Sequence, residues 1–135
     1  MSYKIEDIEG IGPSYAQKLA QADIKNTSDL TRLCCDPDGR RTVSEKTGIS
    51  EAQLLKWVNI ADLMRISGVG SEYSELLETA GVDTVKELRT RNPENLAARM
   101  KEVNAVKKLA RTTPSVKTVE KWVTEAAALD TIVSH

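Results

Sequence analysis

Two short glycine triplets are the residues whose types and spacing fit a chemical role in this 135-residue sequence. They are Gly10-Ile11-Gly12 and Gly68-Val69-Gly70, and each is followed by a segment with the pattern of a helix. The first N–H groups of a helix have no acceptor within the helix, and the helix dipole makes this end positive. A tight turn leading into a helix therefore predicts a site for an oxyanion such as a phosphate.

Each triplet also predicts a hairpin between two helices. Its glycines are expected to supply positive φ and to let the two backbones approach closely. The central Ile11 or Val69 is expected to turn inward and fill the space between the helices. A phosphate held by backbone N–H groups involves no base contact, so such hairpins would bind nucleic acid without regard to its sequence.

A basic stretch supplies the remaining candidates. Residues 99–121 contain seven Lys or Arg and two Glu, a formal balance of +5, although such a run is often only a solvated face. Arg40-Arg41 with Lys46 is expected to form a smaller patch in the first half. The candidate nucleic-acid-binding residues are Gly10, Ile11, Gly12, Ser14, Lys18, Gly68, Val69, Gly70, Ser71, Lys107, Lys108 and Arg111.

Other charges weigh against a nucleic-acid ligand. The formal net charge is −1, whereas dedicated nucleic-acid-binding domains are usually basic. Pro13 lacks an N–H and so removes one donor from the first hairpin. Glu72 falls in the first turn after the second triplet, where its carboxylate would satisfy the same positive helix end as a phosphate. Residues 62–83 contain five acidic side chains against Arg65 alone.

The aromatic residues favour packing over ligand contact. Trp57 and Trp122 lie within apolar helix faces, which predicts core positions; the alternative is base stacking by exposed indoles. Tyr15 and Tyr73 each lie one turn into the helix after a triplet. Their rings are expected to pack on the preceding chain, with the hydroxyls pointing outward.

No set of residues predicts catalysis or a bound cofactor. The adjacent Cys34 and Cys35 with a lone His135 do not have the spacing of a zinc site or of an unstrained disulfide. No phosphate-binding loop, dinucleotide fingerprint or nucleophile–base motif occurs in the sequence. We therefore expect no catalytic residues, no metal and no cofactor.

The sequence contains an internal repeat, and each copy carries one glycine triplet. Residues 8–30 aligned on 66–88 give seven identities in 23 positions, and Lys56-Trp57-Val58 later aligns on Lys121-Trp122-Val123. This predicts two related halves, 1–65 and 66–135, packed as one compact unit. No region alternates apolar and polar residues for long enough to predict a strand, so the expected fold is all-α.

Capping signals predict where the helices begin and end. Thr27, Ser50, Thr84 and Ser115 have the pattern of N-caps, and Asp36-Pro37 and Asn92-Pro93 that of helix starts. The predicted helices cover 13–22, a short segment after Thr27 that ends at 34, 37–47, 51–65, 71–80, a short segment after Thr84, a segment after Asn92, and 116–129.

The first triplet with Ala16 and Leu19 resembles the helix-hairpin-helix superfamily; Ser74 replaces the alanine in the second copy. That resemblance implies hairpins that grip DNA phosphates without sequence preference, usually from the minor-groove side. Over its whole length the chain resembles the bacterial family called domain of unknown function 4332. Ile8–Leu19, Lys56–Arg65 and Asn92–Leu96 carry this resemblance, which implies the fold and the repeat but no activity.

The expected function is a non-catalytic binding module rather than an enzyme. In the first alternative, the module binds nucleic acid, such as double-stranded DNA, weakly and non-specifically. In the second, it binds a protein partner or is a scaffold in which the hairpins are purely structural. The N-terminal MSYKIEDIEG lacks the apolar stretch of a signal peptide, and no apolar run is long enough to span a membrane. The expected compartment is the cytoplasm.

Overall fold

The structure, a computed structural model, describes residues 2–135 and is built from helices. A short 3-10 helix, Ile5–Asp7, is followed by α1 (Pro13–Ala20), α2 (Thr27–Cys34), α3 (Pro37–Thr47), α4 (Glu51–Leu63), α5 (Ser71–Thr79), α6 (Val85–Leu88), α7 (Pro93–Lys107) and α8 (Val116–Ala128). Across residues 2–135 the only extended pairing is an isolated antiparallel bridge between Lys4 and Asn26. The prediction of an all-α fold is confirmed.

Most helices begin at a polar side chain that satisfies one free N–H group of the first turn. Six N-cap side chains accept a hydrogen bond from the N–H three residues on: Asn26, Asp36, Ser50, Thr84, Asn92 and Ser115. The predicted cap at Thr27 is wrong by one residue. The Thr27 hydroxyl accepts the N–H of Tyr3 instead, at 3.0 Å, so it pins the N-terminal segment to α2.

Two helices end two residues earlier than the sequence predicts, and α5 and α8 end one residue earlier. α1 ends at Ala20 rather than residue 22, because Asp23 adopts a φ of +64° and the N–H of Ile24 bonds back to the Leu19 carbonyl at 3.0 Å. α4 ends at Leu63 rather than residue 65, because the N–H groups of Arg65 and Ile66 bond to carbonyls three residues back and tighten the chain after the helix.

The buried apolar side chains form two clusters. One is built from residues 5–64 and the other from residues 63–126, and α4 contributes to both. Trp57 and Trp122 are 2% and 3% exposed, one in each cluster, so the prediction that both pack in the core is confirmed. Within residues 2–135, none of the helices combines the length and apolar character needed to cross a membrane.

The segment after α8 returns to the first half of the chain. Val133 packs against the first cluster, and the Ser134 N–H donates to the Cys35 carbonyl at 2.8 Å. The Arg40 guanidinium is buried beside it and donates to the carbonyls of Ser134 at 2.9 Å and Cys34 at 3.0 Å. The predicted basic patch at Arg40-Arg41 is therefore wrong for Arg40, whose charge points into the protein.

Candidate anion-binding hairpins

The two triplets form turns of the same geometry. Gly10 has a φ of +93° and Gly68 a φ of +85°, so the predicted positive φ is confirmed at both first glycines. The central residues turn inward, with Ile11 4% exposed and Val69 fully buried. Each central N–H bonds to the carbonyl three residues back at 3.1 Å, which closes the turn.

The second glycine of each triplet is not required by backbone geometry. Gly12 and Gly70 have φ of −89° and −93°, which other residues adopt readily, so the positive φ expected for all four glycines is wrong here. In the described residues, a Cβ at either position would have no atom within 4 Å apart from those of its chain neighbours. Gly12 and Gly70 are the N-caps of α1 and α5. Among the α-helices of residues 2–135, α1 and α5 are the two that lack a capping side chain.

One N–H of each turn is already bonded within the chain. The Glu9 N–H donates to the Ser71 hydroxyl oxygen, and the Ser67 N–H donates to a carboxylate oxygen of Glu125, both at 2.9 Å. Sequence reasoning missed Glu125, because nothing near it in the chain marks it as a partner of a turn 58 residues away. The second turn thus holds an oxyanion that the protein itself supplies.

The starts of α1 and α5 differ in what surrounds them. Gly12 and Ser14 are exposed, and the first turn of α1 contains no acidic residue. Gly70 and Ser71 are half-buried, and Glu72 lies in the first turn of α5. The start of α1 is therefore exposed, whereas the start of α5 is partly covered and carries the charge of Glu72.

An aromatic pair supports each hairpin. The indole Nε1 of Trp57 lies 3.8 Å from where a Cβ of Gly10 would be, and Trp122 Nε1 lies 3.7 Å from the same position at Gly68. The Tyr15 and Tyr73 rings pack on these indoles at 5.0 and 5.2 Å between centroids. Tyr15 is 39% exposed.

The predicted basic residues lie in different places. Lys18 is exposed on α1, with its Nζ 5.6 Å from the centroid of the Tyr15 ring. Lys107, Lys108 and Arg111 are exposed at the end of α7 and in the following loop. Within residues 2–135, no hydrogen bond or ion pair joins these three to the first hairpin.

The loop that carries Arg111 packs near the second hairpin instead. The Thr112 hydroxyl lies 3.3 Å from the Tyr73 hydroxyl, which places this loop against the first turn of α5. Folding therefore brings the basic stretch to the hairpin that already holds acidic side chains, rather than to the first hairpin.

Acidic side chains crowd the space beside the first hairpin. Burial raises the pKa of the Glu75 carboxyl, and the nearby charge of Glu9 raises it further while Lys56 lowers it. Burial also raises the pKa of Glu78, with Lys56 opposing and Asp83 adding to the shift. The outer face of α5 is thus unfavourable for a polyanion, which agrees with the acidic character of 62–83.

No cluster of metal-binding side chains accompanies the hairpins. Among residues 2–135, no group of three or more His, Cys, Asp and Glu side chains is arranged to hold a metal ion. Cys34 is buried and Cys35 half-buried, and both are free thiols. Burial raises the pKa of the Cys34 thiol to about 11, so at neutral pH it remains protonated.

The architecture defines an all-helical protein with two glycine turns, each leading into a helix that lacks a capping side chain. Residues 9–129 match the family described as Domain of unknown function (DUF4332), and the chain belongs to this family. Neither the curated proteins nor the solved structures contain a match to it.

Proposed function

We propose that this protein is a non-catalytic module that binds the phosphate backbone of nucleic acid, weakly and without sequence preference, at its first hairpin. The observation that carries the proposal is the exposed start of α1, where Gly12 provides no capping side chain although there is room for one. The N–H groups of Ser14 and Tyr15 remain available there, and the helix dipole favours an anion. Lys18, one turn further along, adds a positive charge.

We further infer that the two hairpins are copies of one helix-hairpin-helix unit in two related halves. Each combines a first glycine at positive φ, a buried central residue and an indole nitrogen beneath the turn. The two buried clusters, within 5–64 and 63–126, fit the proposed boundary near residue 65.

The second hairpin differs from the first in the partner of the N–H that precedes its glycine triplet. The Ser67 N–H donates to the Glu125 carboxylate, whereas the equivalent Glu9 N–H donates to the neutral Ser71 hydroxyl. Because that position is filled and Glu72 lies at the start of α5, an additional phosphate would meet two negative charges. The proposal therefore assigns phosphate binding to the first hairpin and a structural role to the second.

The second candidate function is a scaffold or protein-interaction domain in which both hairpins are structural. The observation that favours it is the hydrogen bond from the Glu9 N–H to the Ser71 hydroxyl, which joins the first hairpin to the start of α5 across 62 positions of sequence. In this case the turns serve to fix one half of the chain against the other.

Duplex DNA binding by two matched variants separates these candidates. Gly12→Asp places a carboxylate at the start of α1, and Gly70→Asp does the same at α5; neither position has steric conflict or backbone strain. Each substitution should raise helix stability by a few tenths of a kcal/mol. Fluorescence anisotropy at low salt should show Gly12→Asp lowering the affinity about tenfold, while Gly70→Asp binds like the wild type.

Salt dependence provides the second readout of the same experiment. Release of counterions should reduce log K by about 0.9 per phosphate contacted for each tenfold rise in salt, and a small site predicts a slope of roughly −1 to −3. Wild-type protein that leaves the DNA anisotropy unchanged at high micromolar concentration would refute nucleic-acid binding and leave the scaffold candidate. Equal affinity of Gly12→Asp and wild type would remove the first hairpin from the site.

A further inference from the structure

Each hairpin covers a buried tryptophan whose polar edge faces the turn. In residues 2–135, and apart from Gly10 and its two chain neighbours, the indole Nε1 of Trp57 is the only atom within 4 Å of the position that a Cβ of Gly10 would occupy; Trp122 Nε1 has the same relation to Gly68. A buried indole N–H usually has a hydrogen-bond partner. Among residues 2–135 neither of these two N–H groups is bonded to a protein acceptor.

The unpaired indole N–H groups are not completely enclosed by the core. The one fully enclosed side-chain N or O atom without a partner in residues 2–135 is Asn59 Oδ1, so both indole nitrogens have some contact with solvent. Trp57 as a whole is 2% exposed, and Gly10 above it is exposed. The exposed part of Trp57 thus includes its donor, and this donor lies beneath the first turn.

We propose that the indole N–H of Trp57 donates a hydrogen bond to an oxygen of the phosphate bound at the first hairpin. This inference rests on the function proposed above and adds a side-chain donor to the backbone donors of α1. The absence of a side chain at Gly10 keeps the path to Nε1 open, since a Cβ would lie in contact with it at 3.8 Å. Trp57 is thus both a core residue and a ligand contact.

Trp122 is the internal control for this assignment. The Ser67 N–H, directly before Gly68, donates to the Glu125 carboxylate at 2.9 Å, so a negative charge lies at the second turn. At the first turn the equivalent N–H meets the neutral Ser71 hydroxyl. Glu9 and Glu75 also lie near the first turn, but in residues 2–135 neither carboxylate is bonded to it, and Lys18 flanks Tyr15, the aromatic partner of Trp57. A phosphate is therefore expected near Trp57 rather than near Trp122.

The test uses the two indole N–H resonances that the two tryptophans give in a ¹⁵N-labelled protein. The variants Trp57→Phe and Trp122→Phe assign them. During titration with a short duplex DNA at low salt, the Trp57 resonance should shift progressively to saturation while the Trp122 resonance stays in place. Inorganic phosphate should move the same resonance at higher concentration.

The variants also test the energetic role of the donor. Trp57→Phe should weaken DNA binding roughly 10- to 100-fold, as expected for losing one hydrogen bond to a charged group. Trp122→Phe loses a comparable core contact but should bind DNA like the wild type. If Trp57→Phe does not fold, as judged by circular dichroism, the titration of wild-type protein still decides.

The outcomes separate this inference from the proposed function. Wild-type protein that does not bind DNA refutes both. DNA binding with an unmoved Trp57 resonance refutes the indole contact alone and leaves the backbone site intact. Equal shifts of both indole resonances would contradict the distinction between the two hairpins.

Discussion

The two glycines of the first triplet should respond to substitution with opposite signs, although they are two residues apart. Gly10 has a φ of +93°, so Gly10→Ala forces a side chain into a strained backbone conformation. The nearest atom to the new Cβ is Trp57 Nε1 at 3.8 Å, an ordinary contact distance, so the cost comes from the backbone. We expect a loss of about 1–2 kcal/mol in the free energy of unfolding.

Gly12→Ser should instead stabilise the protein. With a φ of −89° and no atom within 4 Å of the new Cβ, the substitution adds no strain. The serine hydroxyl can cap α1, which contributes a few tenths of a kcal/mol over glycine, and the unfolded chain loses conformational freedom. The expected gain is about 0.5–1 kcal/mol.

Urea unfolding followed by circular dichroism measures this difference. The two variants should have midpoints on opposite sides of the wild type with unchanged slopes, since neither alters the surface exposed on unfolding. The separation of roughly 2 kcal/mol is well above experimental error. A Gly10→Ala midpoint equal to that of the wild type would refute the assignment of a strained turn at this position.

Three further variants or conditions probe the rest of the structure. Arg40→Met removes the hydrogen bonds to the Cys34 and Ser134 carbonyls; it should lower stability by about 2–4 kcal/mol and speed amide exchange in residues 130–135. Iodoacetamide at pH 8 should modify Cys35 well before Cys34, whose pKa of about 11 keeps it protonated; mass spectrometry of early adducts on Cys34 would contradict this. Burial raises the pKa of the Glu78 carboxyl, so its charged form destabilises the fold. Glu78→Gln should therefore raise the melting temperature at pH 7. The difference in melting temperature between the variant and the wild type should vanish at a pH below the pKa of Glu78 in the unfolded chain, where the carboxyl is neutral in both states.

Local signals in the sequence predicted most of the helices. The caps at Ser50, Thr84 and Ser115 bond to N–H groups three residues away, so a short stretch of sequence contains both partners. The positive φ of Gly10 and Gly68 was predictable for the same reason. These features depend on backbone preferences that operate within one turn of chain.

The contacts between distant parts of the chain could not be predicted in this way. Arg40 has the appearance of a surface residue in Arg40-Arg41, and only the return of residues 129–135 makes it a buried donor. Glu125 likewise becomes a partner of Ser67 because α8 packs beside the second hairpin. Their partners lie 94 and 58 positions away, and no local pattern specifies them.

Amide resonances of the ¹⁵N-labelled protein with a short duplex DNA test the central claim most directly. If the start of α1 holds the phosphate, the N–H resonances of Gly12, Ser14 and Tyr15 shift at low salt and return when salt is added, while those of Gly70 and Ser71 do not move. Shifts confined to the basic residues after α7, or no shifts at all at high micromolar DNA, would contradict it.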